Sequence, residues 1–102
     1  MAIVTFQQIY TNFSQGTVTI SFYPATGPNP IWSSYGELGA NQPVDLGGIQ
    51  RSFTSPGVVT LSVQLPTGMR VNQSNQILPT PGPRSLVFPI LRSNYVLICS
   101  VS

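Results

Sequence analysis

The segment Thr17-Val18-Thr19-Ile20-Ser21-Phe22-Tyr23 alternates hydroxyl-bearing and apolar side chains almost without a break. A strand sends successive side chains to opposite faces, so Val18, Ile20 and Phe22 share one face and Thr17, Thr19 and Ser21 the other. No stretch carries the i, i+3, i+4 apolar spacing of an amphipathic helix, and the chain reads as all-β. Val58 to Leu65 repeats the pattern, with Val59, Leu61, Val63 and Leu65 inward, between the turn signals Ser55-Pro56-Gly57 and Pro66-Thr67-Gly68. Tyr95 to Val101 closes the chain with Tyr95, Leu97, Cys99 and Val101 on one face.

Weaker segments fill the intervals. Ala2 to Tyr10, with Val4 and Phe6 inward, turns at Asn12 to Gly16 and reads as a hairpin with the Thr17 strand. Ile49 to Thr54 reads as a strand. Met69 to Val71 and Ile77-Leu78 flank Asn72-Gln73-Ser74-Asn75-Gln76, which reads as a polar loop. Ser85 to Leu91 contains Pro89, which cannot donate to a ladder, so an edge position or a bend there is expected. Two irregular stretches are expected, Pro24 to Gly48 and Pro79 to Arg84. Seven or so short strands at this spacing predict one small antiparallel β-sandwich spanning residues 1–102, jelly-roll or Ig-like, with a small β-barrel as second choice.

Charge is the unusual quantity. Only 6% of residues are charged: Glu37 and Asp45 against Arg51, Arg70, Arg84 and Arg92, with no Lys and no His. Ser, Thr, Asn and Gln fill 35 of the 102 positions instead. A domain of ordinary composition carries about four times that share of charge. Such a surface repels its own copies weakly, and uncharged edge strands without Lys are templates for pairing, with proline as the available gatekeeper.

The same list excludes most chemistry. Without His or Lys, no serine has its usual proton acceptor. The two carboxylates fall in one Gly-, Asn- and Pro-rich stretch, where such groups cap turns more often than they form an acid and base pair. A non-enzyme is expected. Two acids and the lone Cys99 make no zinc or calcium site, and Cys99 reads as a small core hydrophobe. No cofactor is implied. Four dispersed arginines are too few for a charge-driven nucleic-acid surface, so Arg51 and Arg92 read as residues that hold a subunit contact or a carboxylate. The start of the chain has no signal-peptide pattern, and the apolar runs are too short to insert in a membrane. Asn12-Phe13-Ser14 and Asn72-Gln73-Ser74 match the glycosylation tripeptide, a short pattern common by chance in a chain of this composition.

Two functions fit what remains, beside a third possibility, an extracellular monomer adapted to acid, in which a lack of carboxylates avoids loss of their salt bridges on protonation. The first is a structural subunit of a virion, filament or extracellular surface that self-associates as a homo-oligomer, by strand addition from a terminal arm. The second is a small lectin or carbohydrate-binding module. Its site would be the loop around Trp32 and Tyr35, whose rings could stack on glycans while Asn29, Ser33, Glu37, Asn41 and Gln42 supply hydrogen bonds. The competing reading of Trp32 is a plug at one end of the sandwich or an interface residue.

Overall fold

The computed structural model describes residues 2–13, 16–23, 31–37 and 39–102, with Tyr23 and 31–37 described by their backbone. Among the described residues eight strands form: β1 (Ala2–Thr11), β2 (Thr17–Tyr23), β3 (Ile31–Glu37), β4 (Val44–Phe53), β5 (Gly57–Gln64), β6 (Arg70–Ile77), β7 (Gly82–Ile90) and β8 (Ser93–Val101). They make two four-stranded sheets, ordered β4-β1-β8-β7 (sheet 1) and β3-β2-β5-β6 (sheet 2), with every strand pair antiparallel. The sandwich expectation holds. Each sheet keeps two edges, so the barrel alternative is set aside.

The alternating segments fold as their pattern requires. Val18, Ile20 and Phe22 from β2, Val59, Leu61 and Val63 from β5, and Tyr95, Leu97, Cys99 and Val101 from β8 are all buried. Phe22 of sheet 2 meets Phe6 and Phe53 of sheet 1 edge to face, with ring centroids 5.8 and 5.6 Å apart, and so links the two layers. Burying each large apolar side chain contributes about 1.5–3 kcal/mol before chain entropy is charged against it.

Several expectations are corrected. β1 and β2 are not a hairpin: they belong to different sheets, because the inward faces of both can then meet across one core. β3 and the start of β4 occupy about half of the expected irregular stretch between Pro24 and Gly48, while 24–30 lies outside the described residues. The polar segment Asn72 to Gln76 is the middle of β6, an edge strand whose side chains need little burial. In the second expected irregular stretch, β7 already begins at Gly82. Both terminal strands are interior: β1 lies between β4 and β8, and β8 between β1 and β7. Neither is a free arm, and exchanging either would break two ladders at once.

β1 also changes phase. Its inward residues are Ala2, Val4 and Phe6, then Ile9 and Thr11, because the register shifts between Phe6 and Gln8 on both of its sides. On the β4 side, Ile49 pairs with Phe6 and Asp45 with Gln8, so Leu46, Gly47 and Gly48 lie opposite Gln7 alone. This bulge turns Leu46 into the core at 5% exposure and places both glycines at positive φ, 74° and 66°.

Candidate functional site

The positions expected to form a ligand loop are distributed differently by the fold. Trp32, Ser33, Tyr35 and Glu37 lie on β3, at register positions opposite Ser21, Ile20, Val18 and Thr17 of β2. Trp32 is therefore in the row of an outward residue and Tyr35 in the row of a fully buried one. Their side chains lie outside the described residues, as does Asn29 altogether. Asn41 and Gln42 belong to the link from β3 to β4, where the Asn41 amide donates to the Thr11 carbonyl at 2.6 Å and φ of Asn41 is 57°. Asp45, on the other sheet from Glu37, accepts from the Gly47 amide at 2.7 Å and so caps the β4 bulge.

The arginines are not gathered either. Arg51 is exposed on β4 and donates to the Gln50 carbonyl at 2.7 Å. Arg92 is exposed in the turn between β7 and β8. Arg70 on β6 donates to Gln64 Oε1 at 3.1 Å, and Arg84 on β7 donates to the Thr80 carbonyl at 2.7 Å. All six charges thus sit on the four edge strands or in the last hairpin turn. The interior strands β1, β2, β5 and β8 carry none.

That placement protects the edges. Val87 of β7 accepts through its carbonyl from Asn75 Nδ2 of β6 at 2.9 Å, so its main-chain polar groups point away from β8. Pro83 and Pro89 share the parity of Val87, and each lacks an amide on that same side. β4 is interrupted by the Gly47-Gly48 bulge and carries Arg51 at a register position opposite buried Val4. Inward-phased charge, bulges and prolines are the devices by which sheets resist edge pairing.

The outer faces are the surfaces left open, and they differ in character. On sheet 1, Tyr10, Val96 and Val87 form one register row across β1, β8 and β7, with Ile98 in the next row beside Gln8 and Ser85. Val87 is 49% exposed. Beyond that row, Leu91 stands at the hairpin tip, 59% exposed, and Ile90 pairs with Ser93 around it. Its φ of 54° at the first position of a two-residue turn is where glycine is preferred.

On sheet 2 the outer face is mostly hydroxyl and amide, with Val58, 38% exposed, in the row of Gln76. Thr60 Oγ1 and Ser74 Oγ lie 2.9 Å apart, Ser62 Oγ donates to Asn72 Oδ1, and Gln64 accepts from Arg70. Each of these is a directly opposed pair in the β5–β6 register, and the rows continue into β2 at Ser21, Thr19 and Thr17. The polar run that made 72–76 look like a loop is one side of this ladder.

One cleft of about 200 Å³ is lined by Ala2, Thr54, Pro79, Pro81 and Ser102, another of about 260 Å³ by Ile3, Gln50, Arg51 and Ser52. Both fall below the usual range for a small-molecule site. Among the described residues, no three His, Cys, Asp or Glu side chains group to hold a metal, and no helix is long and apolar enough to cross a membrane. Cys99 is buried, and burial pushes its thiol up to about 11 from 9.0, against a smaller opposing pull from Arg84. A thiol so held is a poor nucleophile at neutral pH.

No family model, no curated protein and no solved structure matches the chain. Function is therefore argued from the faces themselves.

Proposed function

We propose that the chain is a non-enzymatic structural subunit that self-associates, as part of a virion, filament or extracellular surface, and that it does so face to face. The observation that carries this reading is the uncharged row Tyr10–Val96–Val87 on the outer face of sheet 1. The guarded edges and interior terminal strands argue against the expected strand addition by an arm. Extents of 40 × 24 × 20 Å give a sheet face of roughly 800 Å², about what one partner contributes to a standard interface. Few charges mean little repulsion when two such faces approach.

The test is solution mass by light scattering after size exclusion, over a wide concentration range. A discrete oligomer or filament is expected, and Val96→Arg should return it to the 11.0 kDa monomer with the β-sheet circular dichroism unchanged. A wild-type chain that stays monomeric at every concentration overturns the reading. So does an oligomer indifferent to Val96→Arg.

A further inference from the structure

We infer that the outer face of sheet 2 is a binding surface for a neutral, hydroxyl-rich polymer, a polysaccharide, with the Thr60–Ser74 and Ser62–Asn72 pairs at its centre. This is a different surface from the self-association face, and its row Ser74–Thr60–Ser21 continues into β3 at the register position of Trp32.

The chemistry of the face selects the partner. Its groups are hydroxyls and amides that both donate and accept, held in register by cross-strand hydrogen bonds. A group already held in place loses less freedom when a ligand arrives. An apolar partner would cover these groups and leave hydrogen-bonding capacity unmet, at about 1–3 kcal/mol for each buried unsatisfied group. A polyanion such as nucleic acid needs many cations on one side, and this face offers Arg70 at one corner, engaged with Gln64. A neutral polyol meets donors with acceptors and acceptors with donors and needs no charge.

The shape agrees. Neighbouring strands stand about 4.8 Å apart and same-face residues along a strand about 6.7 Å apart, so β2, β5 and β6 present a broad grid rather than a pocket. Such a grid suits an extended chain lying across several strands. Many weak contacts along one polymer then combine into useful affinity, and an oligomer multiplies them further.

The experiment is retention of the full chain on microcrystalline cellulose, chitin and cross-linked dextran, with immobilised heparin as the charged comparison. Binding to at least one neutral polymer is expected, unchanged between low and 1 M salt because no charge is screened. A Thr60→Val, Ser74→Val double variant puts a β-branched residue, which strands favour, at both positions and should weaken retention tenfold or more with circular dichroism unchanged. Ser85→Ala, on sheet 1, should leave it as it was. Four results overturn the proposal: no neutral polymer retains the chain; the double variant is retained as well as wild type; heparin alone retains it and salt releases it; or the double variant changes solution mass while retention stays constant. The last would assign the face to a second copy of the chain.

Discussion

Asn75 Nδ2 donates to the Val87 carbonyl across 2.9 Å, tying the edge of one sheet to the edge of the other. β6 and β7 otherwise lie in different sheets, joined in sequence through the Pro79–Pro81 connection. This contact closes one long side of the sandwich and occupies an acceptor that an incoming strand would use. Asn75→Ala should therefore lower stability by about 1 kcal/mol, the net worth of one hydrogen bond. It should also raise light scattering on standing, because a β7 acceptor becomes available. Urea unfolding and time-resolved scattering measure the two separately. A variant that is destabilised without any rise in scattering would mean that Pro83 and Pro89 suffice to guard the edge.

Strand identity was legible wherever one face is buried along the whole segment. β2, β5 and β8 announce themselves because a core residue recurs at every second position. β6 does not, since its inward row runs Val71, Gln73, Asn75, Ile77 and is buried only at its last member. β1 misleads at its midpoint: the shift at Gln7 moves Ile9 into the core although it is an odd number of residues from Phe6. The Ser/Thr/Asn/Gln ladder was beyond reach for a different reason. Its partners are six to fourteen residues apart and become neighbours through register alone, which composition does not encode. The turn at Leu91-Arg92 was hidden because its residues carry none of the usual turn chemistry.

The β4 bulge gives a second prediction. Gly47 and Gly48 have positive φ, and a Cβ built on either meets nothing within 4 Å. The cost of a side chain there is purely conformational. Gly48→Ala should destabilise by ~1–2 kcal/mol, the penalty of left-handed backbone for an L-residue. Gly48→Asn should lose less, because a short polar side chain tolerates that region. Asp45→Ala removes the acceptor of the Gly47 amide and should cost about 1 kcal/mol. Denaturant midpoints for the three variants check the order. Equal losses for Ala and Asn would show that the backbone shifts out of the left-handed region on substitution.

Leu91 gives a third. An exposed leucine at φ 54° is strained where glycine would rest easily. Leu91→Gly should stabilise the isolated chain by as much as ~1 kcal/mol through relief of that strain, less the entropy that glycine adds to the unfolded chain. If the leucine is kept at the tip for contact with a second copy, the same variant should weaken self-association. Thermal unfolding of dilute protein together with mass at high concentration separates the two effects. Higher stability with unchanged assembly would remove Leu91 from the proposed contact surface.

Resistance to acid follows from what the chain lacks. Acid unfolding proceeds by protonating groups whose affinity for protons differs between the folded and unfolded states. Here two carboxylates and no histidine are present. The urea midpoint should change little between pH 7 and pH 3. A steep loss across that interval would assign a structural role to Glu37 or Asp45, and Glu37→Gln and Asp45→Asn would show which.

Alkali acts in the opposite way, through Cys99. Its thiol is held neutral in the core, with its folded pKa raised to about 11, whereas in the unfolded chain it ionises near 9.0. For a group whose neutral form is the one favoured by folding, the stabilisation is complete below the unfolded value. Above it, the unfolded state sheds a proton that the folded state retains, and stability falls as pH rises from about 9 to about 11. Cys99→Ser would confuse the comparison by burying a hydroxyl, so Cys99→Ala is the control. It should be less stable at pH 7, through the lost packing volume, and should fall less between pH 9 and pH 11 than the wild type does. The same burial makes modification by a thiol reagent at neutral pH slow until the protein unfolds, so its rate should rise with urea in step with the unfolding curve. Fast labelling of the native chain would mean that β7 separates from β8 often enough to expose Cys99, which pairs with Arg84 across that ladder.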